Sequence, residues 1–225
     1  MHCGAVLVAA GRSARMGFDK ILATLDDRPV LTYSLELLES IEAISEVVVV
    51  TSSEKLEPVQ RLIANRPNMC VCLGGDSRQE SVEHGVAALT PAVDLVLIHD
   101  AARPLATAVM MTEGIRLSEA TGAAIAAIPV TDTIKLLAAD GSVEQTPERA
   151  RLYAAQTPQI FRRDWLEASY ARLHESDDPP LVTDEASLLE WAGYRVHIFP
   201  GDPRNIKLTN PLDLTLAEAL LRGAP

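Results

Sequence analysis

Apolar residues in this chain follow two habits: short aliphatic or β-branched runs of strand length, and longer stretches in which they recur every three or four positions. The first run opens the stretch from Ala5 to Lys20 and breaks into small residues at Ala9, Ala10 and Gly11. Val30, Tyr33, Leu37, Leu38 and Ile41 then lie at helical spacing, and Glu46 to Thr51 is too short and too β-branched for anything but a strand. The pattern predicts a further helix from Glu57 to Ala64 and strands over Met69 to Leu73, Leu95 to Ile98 and Ala123 to Val130. This strand–helix–strand rhythm points to a parallel sheet with right-handed crossovers, whose ligands sit at the carboxyl ends of the strands.

Turn and cap signals divide the rest. Gly74, Gly75, Asp76 and Ser77 form a strand-to-helix junction, where Asp76 with Gln79 reads as a capping box ahead of Val82, Val86 and Leu89. Thr133 to Leu137 alternates, Asp140-Gly141 favours a turn, and Val143 to Thr146 completes a hairpin. An isolated hairpin is marginal in water, so this arm should pack on something, most simply its copy in a second subunit. A helix from Arg163 to Leu173, a polar loop from His174 to Pro180, a helix capped by Thr183 and ended by Gly193, and a strand from Arg195 to Phe199 follow. The last helix opens with Asn210, Pro211 and Asp213, and Leu212, Leu216, Ala217, Leu220 and Leu221 form its expected buried face.

Composition narrows the class. With 225 residues the chain supports one sizeable core, and 48% hydrophobic but only 4% aromatic residues make that core aliphatic. No apolar run approaches the roughly 20 residues of a membrane span, and no secretory leader opens the chain, so a cytoplasmic location is expected. A net charge of −11 argues against binding nucleic acid through its phosphates. Cys3, Cys70 and Cys72 form neither a zinc pattern nor an even set of bridges and read as reduced, small apolar residues.

The few cations cluster instead at motifs. Arg12, Arg15 and Lys20 follow the small residues at Ala9, Ala10 and Gly11, as suits a loop whose backbone N–H groups approach an anion. A tight turn carrying surface arginines is the plainer alternative. Gly11 and Gly17 are not followed by Lys-Ser/Thr, and no G-x-G-x-x-G is present, so neither a Walker loop nor a dinucleotide loop fits. Asp100, at the tip of a core strand, is placed to hold a divalent metal, or to cap the following turn, or to pair with Arg103.

Taken in order, AAGRSARMGFDK, GGDSR, HDAARP, DTIK, QTPQ, TDEAS and NIKLTNPLD resemble the signature of the 2-C-methyl-D-erythritol 4-phosphate cytidylyltransferases over essentially the whole chain. The resemblance implies an α/β fold: a Rossmann-like, mostly parallel twisted sheet with helices on both faces, in a single nucleotidyltransferase domain over residues 1–225, with a protruding β-hairpin arm at about 131–155 for dimerisation. It implies the single-function form, without a fused cyclodiphosphate synthase. Its substrates would be CTP and a phosphorylated polyol, its cofactor Mg²⁺, and its assembly a homodimer through the arm. Ala9, Ala10 and Gly11 would hold the triphosphate, Gly75, Asp76 and Ser81 would read cytosine, and Ala101 and Ala102 would flank the ribose. Arg15, Lys20 and Lys207 would be catalytic, Asp100 would hold the metal, and Thr133, Arg149 from the partner subunit, Thr157 and Thr183 would receive the methylerythritol phosphate.

Some members of that family carry a carboxylate three residues before the NIK lysine, where this chain has Arg204, so Asp202 is not counted as a second metal ligand. Attack by a phosphate oxygen already ionised at neutral pH needs no general base, which leaves His99 a structural role. The competing readings are a ribitol 5-phosphate cytidylyltransferase and a catalytically silent nucleotide-binding module on the same fold.

Overall fold

The computed structural model describes residues 1–11 and 19–223. Arg12 and Arg15, both assigned to the phosphate loop, lie outside the described residues.

Seven strands form the main sheet: β1 (Cys3–Val8), β4 (Ile44–Thr51), β5 (Met69–Leu73), β6 (Leu95–Asp100), β7 (Ala123–Pro129), β10 (Tyr153–Arg162) and β11 (His197–Pro200). Two short antiparallel pairs stand apart, β2 (Thr24–Leu25) with β3 (Arg28–Pro29) and β8 (Leu136–Leu137) with β9 (Val143–Gln145). The sheet order is β11-β7-β10-β6-β1-β4-β5. Every pairing is parallel except the two made by β10, which inserts antiparallel between β6 and β7. That strand contains the QTPQ motif, and its alternation is too weak to read from sequence: Tyr153, Ala154 and Ala155 are exposed, and the register shifts before Gln159.

Helices cover both faces. On one side α1 (Val30–Glu39), α2 (Leu56–Ile63) and α4 (Ala108–Thr121) bury Leu31, Leu35, Val59, Met111 and Ile115 against Leu7, Val49 and Leu97. On the other, α3 (Arg78–Ala88), α5 (Arg163–His174) and α6 (Glu185–Ala192) bury Val82, Leu166, Tyr170 and Leu189 against Val6, Val50 and Ile98. Adjacent residues of each central strand thus feed opposite layers, as the two-sided pattern of a doubly covered sheet requires.

Three local expectations are corrected. Helix α3 is capped by Ser77, not Asp76: the Ser77 side chain accepts from the Glu80 N–H, and Glu80 reaches back to Ser77, one register later than the Asp76–Gln79 reading. Both pairs have capping-box spacing, and the helix starts at Arg78, which makes Ser77 the cap. Helix α6 is capped by Asp184 with Ser187, not by Thr183. In α7 (Pro211–Arg222), Leu212 and Leu216 face outward, while Leu214, Ala217 and Leu221 pack on Leu25, Val30 and Leu208. That contact patch is small, so only one side of an apolar-rich helix is covered. The Asn210 cap with Pro211 and Asp213 stands as expected.

Candidate active site

Strands β1, β5 and β6 end on the same edge of the sheet and release their loops side by side. The Ala101 N–H donates to Val8 O at 3.1 Å, and the Gly74 N–H to Thr51 O at 2.9 Å. A cavity of about 260 Å³ opens there, walled by Ala9, Ala10 and Gly11 from the first loop, Gly75 and Asp76 from the second, and Ala102 from the third. Lys20, Arg78, Ser81, Asp100 and Lys207 also line it. Ser81 both donates to Ser77 O at 2.8 Å and accepts from the Gly75 N–H at 3.2 Å, so its hydroxyl shapes the second loop. Ala101 is fully buried behind the wall and does not line the cavity.

Lys207 arrives from the far end of the chain. The Leu208 N–H donates to Ala102 O at 2.8 Å, and Arg103 donates to Asn205 O at 2.8 Å, which docks the NIK segment along the third loop. Buried Asn205 donates in turn to Thr157 O at 2.9 Å. Lys20 donates to Leu208 O at 2.9 Å, so the first loop and the NIK segment meet. Lys207 Nζ consequently lies 2.6 Å from Asp100 Oδ2.

Asp100 is the electrostatic centre. Burial would raise its carboxyl, but Arg78 and Lys207, with Arg103 further off, outweigh it and hold the group well below the usual carboxylate range. Arg78 divides its guanidinium between two buried acids, 3.3 Å from Asp100 Oδ1 and 2.7 Å from Glu185 Oε2. Glu185 is fully buried at the start of α6 and is approached by the Tyr170 hydroxyl as well. Burial pushes its carboxyl upward, and Arg78 offsets part of that.

Behind Asp100 runs one chain of hydrogen bonds. The Asp100 N–H donates to Thr157 Oγ1 at 3.0 Å, Thr157 Oγ1 lies 3.1 Å from His99 Nδ1, and His99 Nε2 lies 3.2 Å from Arg103 O. A carbonyl can only accept, so Nε2 carries the proton and Nδ1 accepts from the threonine. Burial lowers the imidazole to about 4, which keeps His99 neutral near pH 7. The expected structural role of His99 agrees with these contacts, and the Thr157 hydroxyl is engaged by both the Asp100 N–H and His99.

A second opening of about 230 Å³ adjoins the first and shares Arg78, Asp100 and Lys207 with it. Thr157, Thr183, Asp184 and Arg103 also line this opening. Thr133 and Arg149 are not brought to either opening: both are exposed on the arm, and Arg149 donates to Thr131 O at 2.9 Å. Arg103 makes no ion pair with Asp100, contrary to one of the alternatives considered for it. Asp202 is engaged with the Arg204 N–H and with Gln156 rather than with Asp100.

The family model for 2-C-methyl-D-erythritol 4-phosphate cytidylyltransferase matches residues 3–223. The chain belongs to this family. A cytidylyltransferase relative from Dehalococcoides mccartyi is 40% identical over 223 residues, covering 97% of this chain and 96% of its own. One from Parasynechococcus marenigrum is 42% identical over 220 residues, covering 96% of each. Among solved structures, the 4-diphosphocytidyl-2C-methyl-D-erythritol synthase of Anaerococcus prevotii superposes with a TM-score of 0.89 at 28% identity, over 98% of both chains. Within this cytidylyltransferase framework, Arg78, Glu185 and Lys55 are among the polar groups near the site to which sequence reading gave no role. Arg78 was visible as the basic residue of GGDSR, whereas nothing in the pattern around Glu185 or Lys55 marks them as buried.

Proposed function

We propose that the chain transfers the cytidylyl group of CTP to 2-C-methyl-D-erythritol 4-phosphate, forming 4-diphosphocytidyl-2-C-methyl-D-erythritol and pyrophosphate. Full-length membership in the family supports the reaction. The observation that carries the mechanism is that two adjoining openings share Lys207 and Asp100, with Lys20 lining the first of them and bonded to the NIK segment. The first opening takes CTP, with its triphosphate along Ala9, Ala10 and Gly11, its base toward Gly75, Asp76 and Ser81, and its ribose near Ala102. The second takes the acceptor phosphate, near Thr157 and Thr183.

An acceptor phosphate oxygen forms a bond to the α-phosphorus as the bond from that phosphorus to the bridging oxygen of pyrophosphate breaks. No proton need leave the nucleophile, which is consistent with a neutral His99 held by two hydrogen bonds. Lys20 and Lys207, with Arg15, orient the phosphates and answer the charge that builds in the transition state. Lys207 exchanges its contact with Asp100 for phosphate oxygens when the substrates enter.

Asp100 fits a magnesium site of the kind completed by substrate. Among the described residues no group of three or more His, Cys, Asp and Glu is placed to hold a metal, but Mg²⁺ needs only one or two carboxylates when phosphates supply further oxygens. Asp100 stays ionised, as such a ligand must. Mg²⁺ bound there would neutralise triphosphate charge and polarise the α-phosphate.

The arm is read as a dimerisation element that delivers Arg149 and Thr133 to the acceptor site of a second copy. Supporting this, the arm exposes Leu136, Leu137 and Val143, none of which lines either opening of its own subunit. No described helix is long and apolar enough to cross a membrane, and we place the enzyme in the cytoplasm.

The test is pyrophosphate release from CTP and Mg²⁺ with methylerythritol 4-phosphate, with ribitol 5-phosphate, and with no acceptor. Release with methylerythritol phosphate alone is expected. Release with ribitol phosphate alone would reassign the acceptor, and silence with both despite CTP binding would make this a binding module.

A further inference from the structure

Lys55 follows β4 in a single 3₁₀ turn and belongs to none of the motifs shared with the family signature, yet its side chain is only 6% exposed. A buried ammonium is costly unless each of its protons finds an acceptor. Three acceptors are present: Ala9 O at 2.8 Å, Gly11 O at 2.8 Å and Asp19 Oδ2 at 3.3 Å. Ala9 and Gly11 form the strand side of the phosphate loop, and Asp19 stands where the described chain resumes beyond it. Asp19 is itself fixed, since its other oxygen accepts the N–H groups of Ile21 at 3.0 Å and Leu22 at 3.4 Å.

We propose that Lys55 is a positioning residue for nucleotide binding, clasping both stems of the loop so that its backbone presents donors to the triphosphate. In a planar trans peptide the carbonyl and the following N–H point in opposite directions. Turning the Ala9 carbonyl toward Lys55 therefore turns the Ala10 N–H away from it. Lys55 is not among the residues lining either opening, so it acts through the loop and not on the ligand. This rests on the reading of the first opening as the CTP site.

Lys55→Met keeps the aliphatic stem and removes the ammonium, and Lys55→Arg restores a cation with several donors. In Lys55→Met the KM for CTP is expected to rise at least tenfold, while the KM for methylerythritol phosphate at saturating CTP stays within twofold. Lys55→Arg should recover much of that loss. Hydrogen exchange measured without ligand should accelerate at least tenfold over residues 9–11 and 19–22 and remain unchanged in β6. A CTP KM within twofold of wild type together with unchanged exchange in the two stems would overturn the clasp. So would equal rises in both KM values, or loss of cooperative melting, either of which would make Lys55 a general structural group. If wild type neither binds nor turns over CTP, the functional reading fails instead, and the exchange data still judge the clasp.

Discussion

Asp100 holds two cations at once, and the mechanism requires it to release one of them. Lys207→Ala and Lys20→Ala should each lower kcat at least tenfold with the fold intact, because one removes a charge shared by both openings and the other a charge lining the first. Near-normal rates in both would rule out charge stabilisation by these lysines. Thr157→Val keeps the shape but leaves the Asp100 N–H and His99 Nδ1 without their partner. A loss of about 1–3 kcal/mol in denaturant melts, with reduced turnover, is expected. Glu185→Leu should cost about 1–3 kcal/mol, because Arg78 would lose its nearer partner and keep only Asp100. The cysteines carry a pH prediction. Burial pushes the Cys72 thiol up to about 11, with Cys70 adding to it. Only the thiolate reacts, so below that value alkylation of Cys72 should rise roughly tenfold per pH unit, measurable by mass spectrometry between pH 8 and 10. A rate independent of pH would contradict the burial of this thiol.

The seating of α3 decides where the second loop lies. Gly85 lets the helix approach the sheet: a Cβ there would stand 2.5 Å from Val6 Cγ1 and 2.7 Å from Val50 Cγ2. Gly85→Ala should therefore cost about 1–3 kcal/mol by overpacking and raise the KM for CTP, since Gly75 and Asp76 hang from the same helix. The cap correction gives a sharper contrast. Ser77→Ala should lose about 1 kcal/mol, and Asp76→Ala far less, because Ser77 accepts the Glu80 N–H and Asp76 caps nothing. Equal losses in thermal melts would restore the Asp76 reading. From sequence the junction was legible as a capped helix start, but two adjacent residues satisfied the same spacing. Only the folded start of the helix at Arg78 discriminates between them.

The two short strands of the arm pair only with each other, and their apolar side chains face out. A dimer in sedimentation at assay concentration is expected, and Leu137→Asp should shift it toward monomer and lower activity together. A wild-type monomer of full activity would make transfer of Arg149 between subunits untenable. Mixing inactive Arg149→Ala with inactive Lys207→Ala should restore part of the activity if the arm crosses between subunits, because one site of each mixed dimer would be intact.

The sequence by itself determined the alternation of strands and helices, the aliphatic two-layered core and the order of the site motifs. Those features are written in local periodicity and in turn chemistry, which act over a few residues. It also placed Asp100 at a strand end, because a charged residue closing an apolar run has few other positions. Tertiary structure decided the rest. Strand β10 runs antiparallel inside a parallel sheet, and that insertion brings Thr157 under Asp100. Docking of the NIK segment on Ala102 brings Lys207 across 107 positions to the same carboxylate. Nothing in the sequence marks Lys55 or Glu185 as buried, and Arg78 stands in the GGDSR motif without its two partners until the chain folds. Burial and long-range pairing, which no local pattern encodes, then bind them to the loops that serve the reaction.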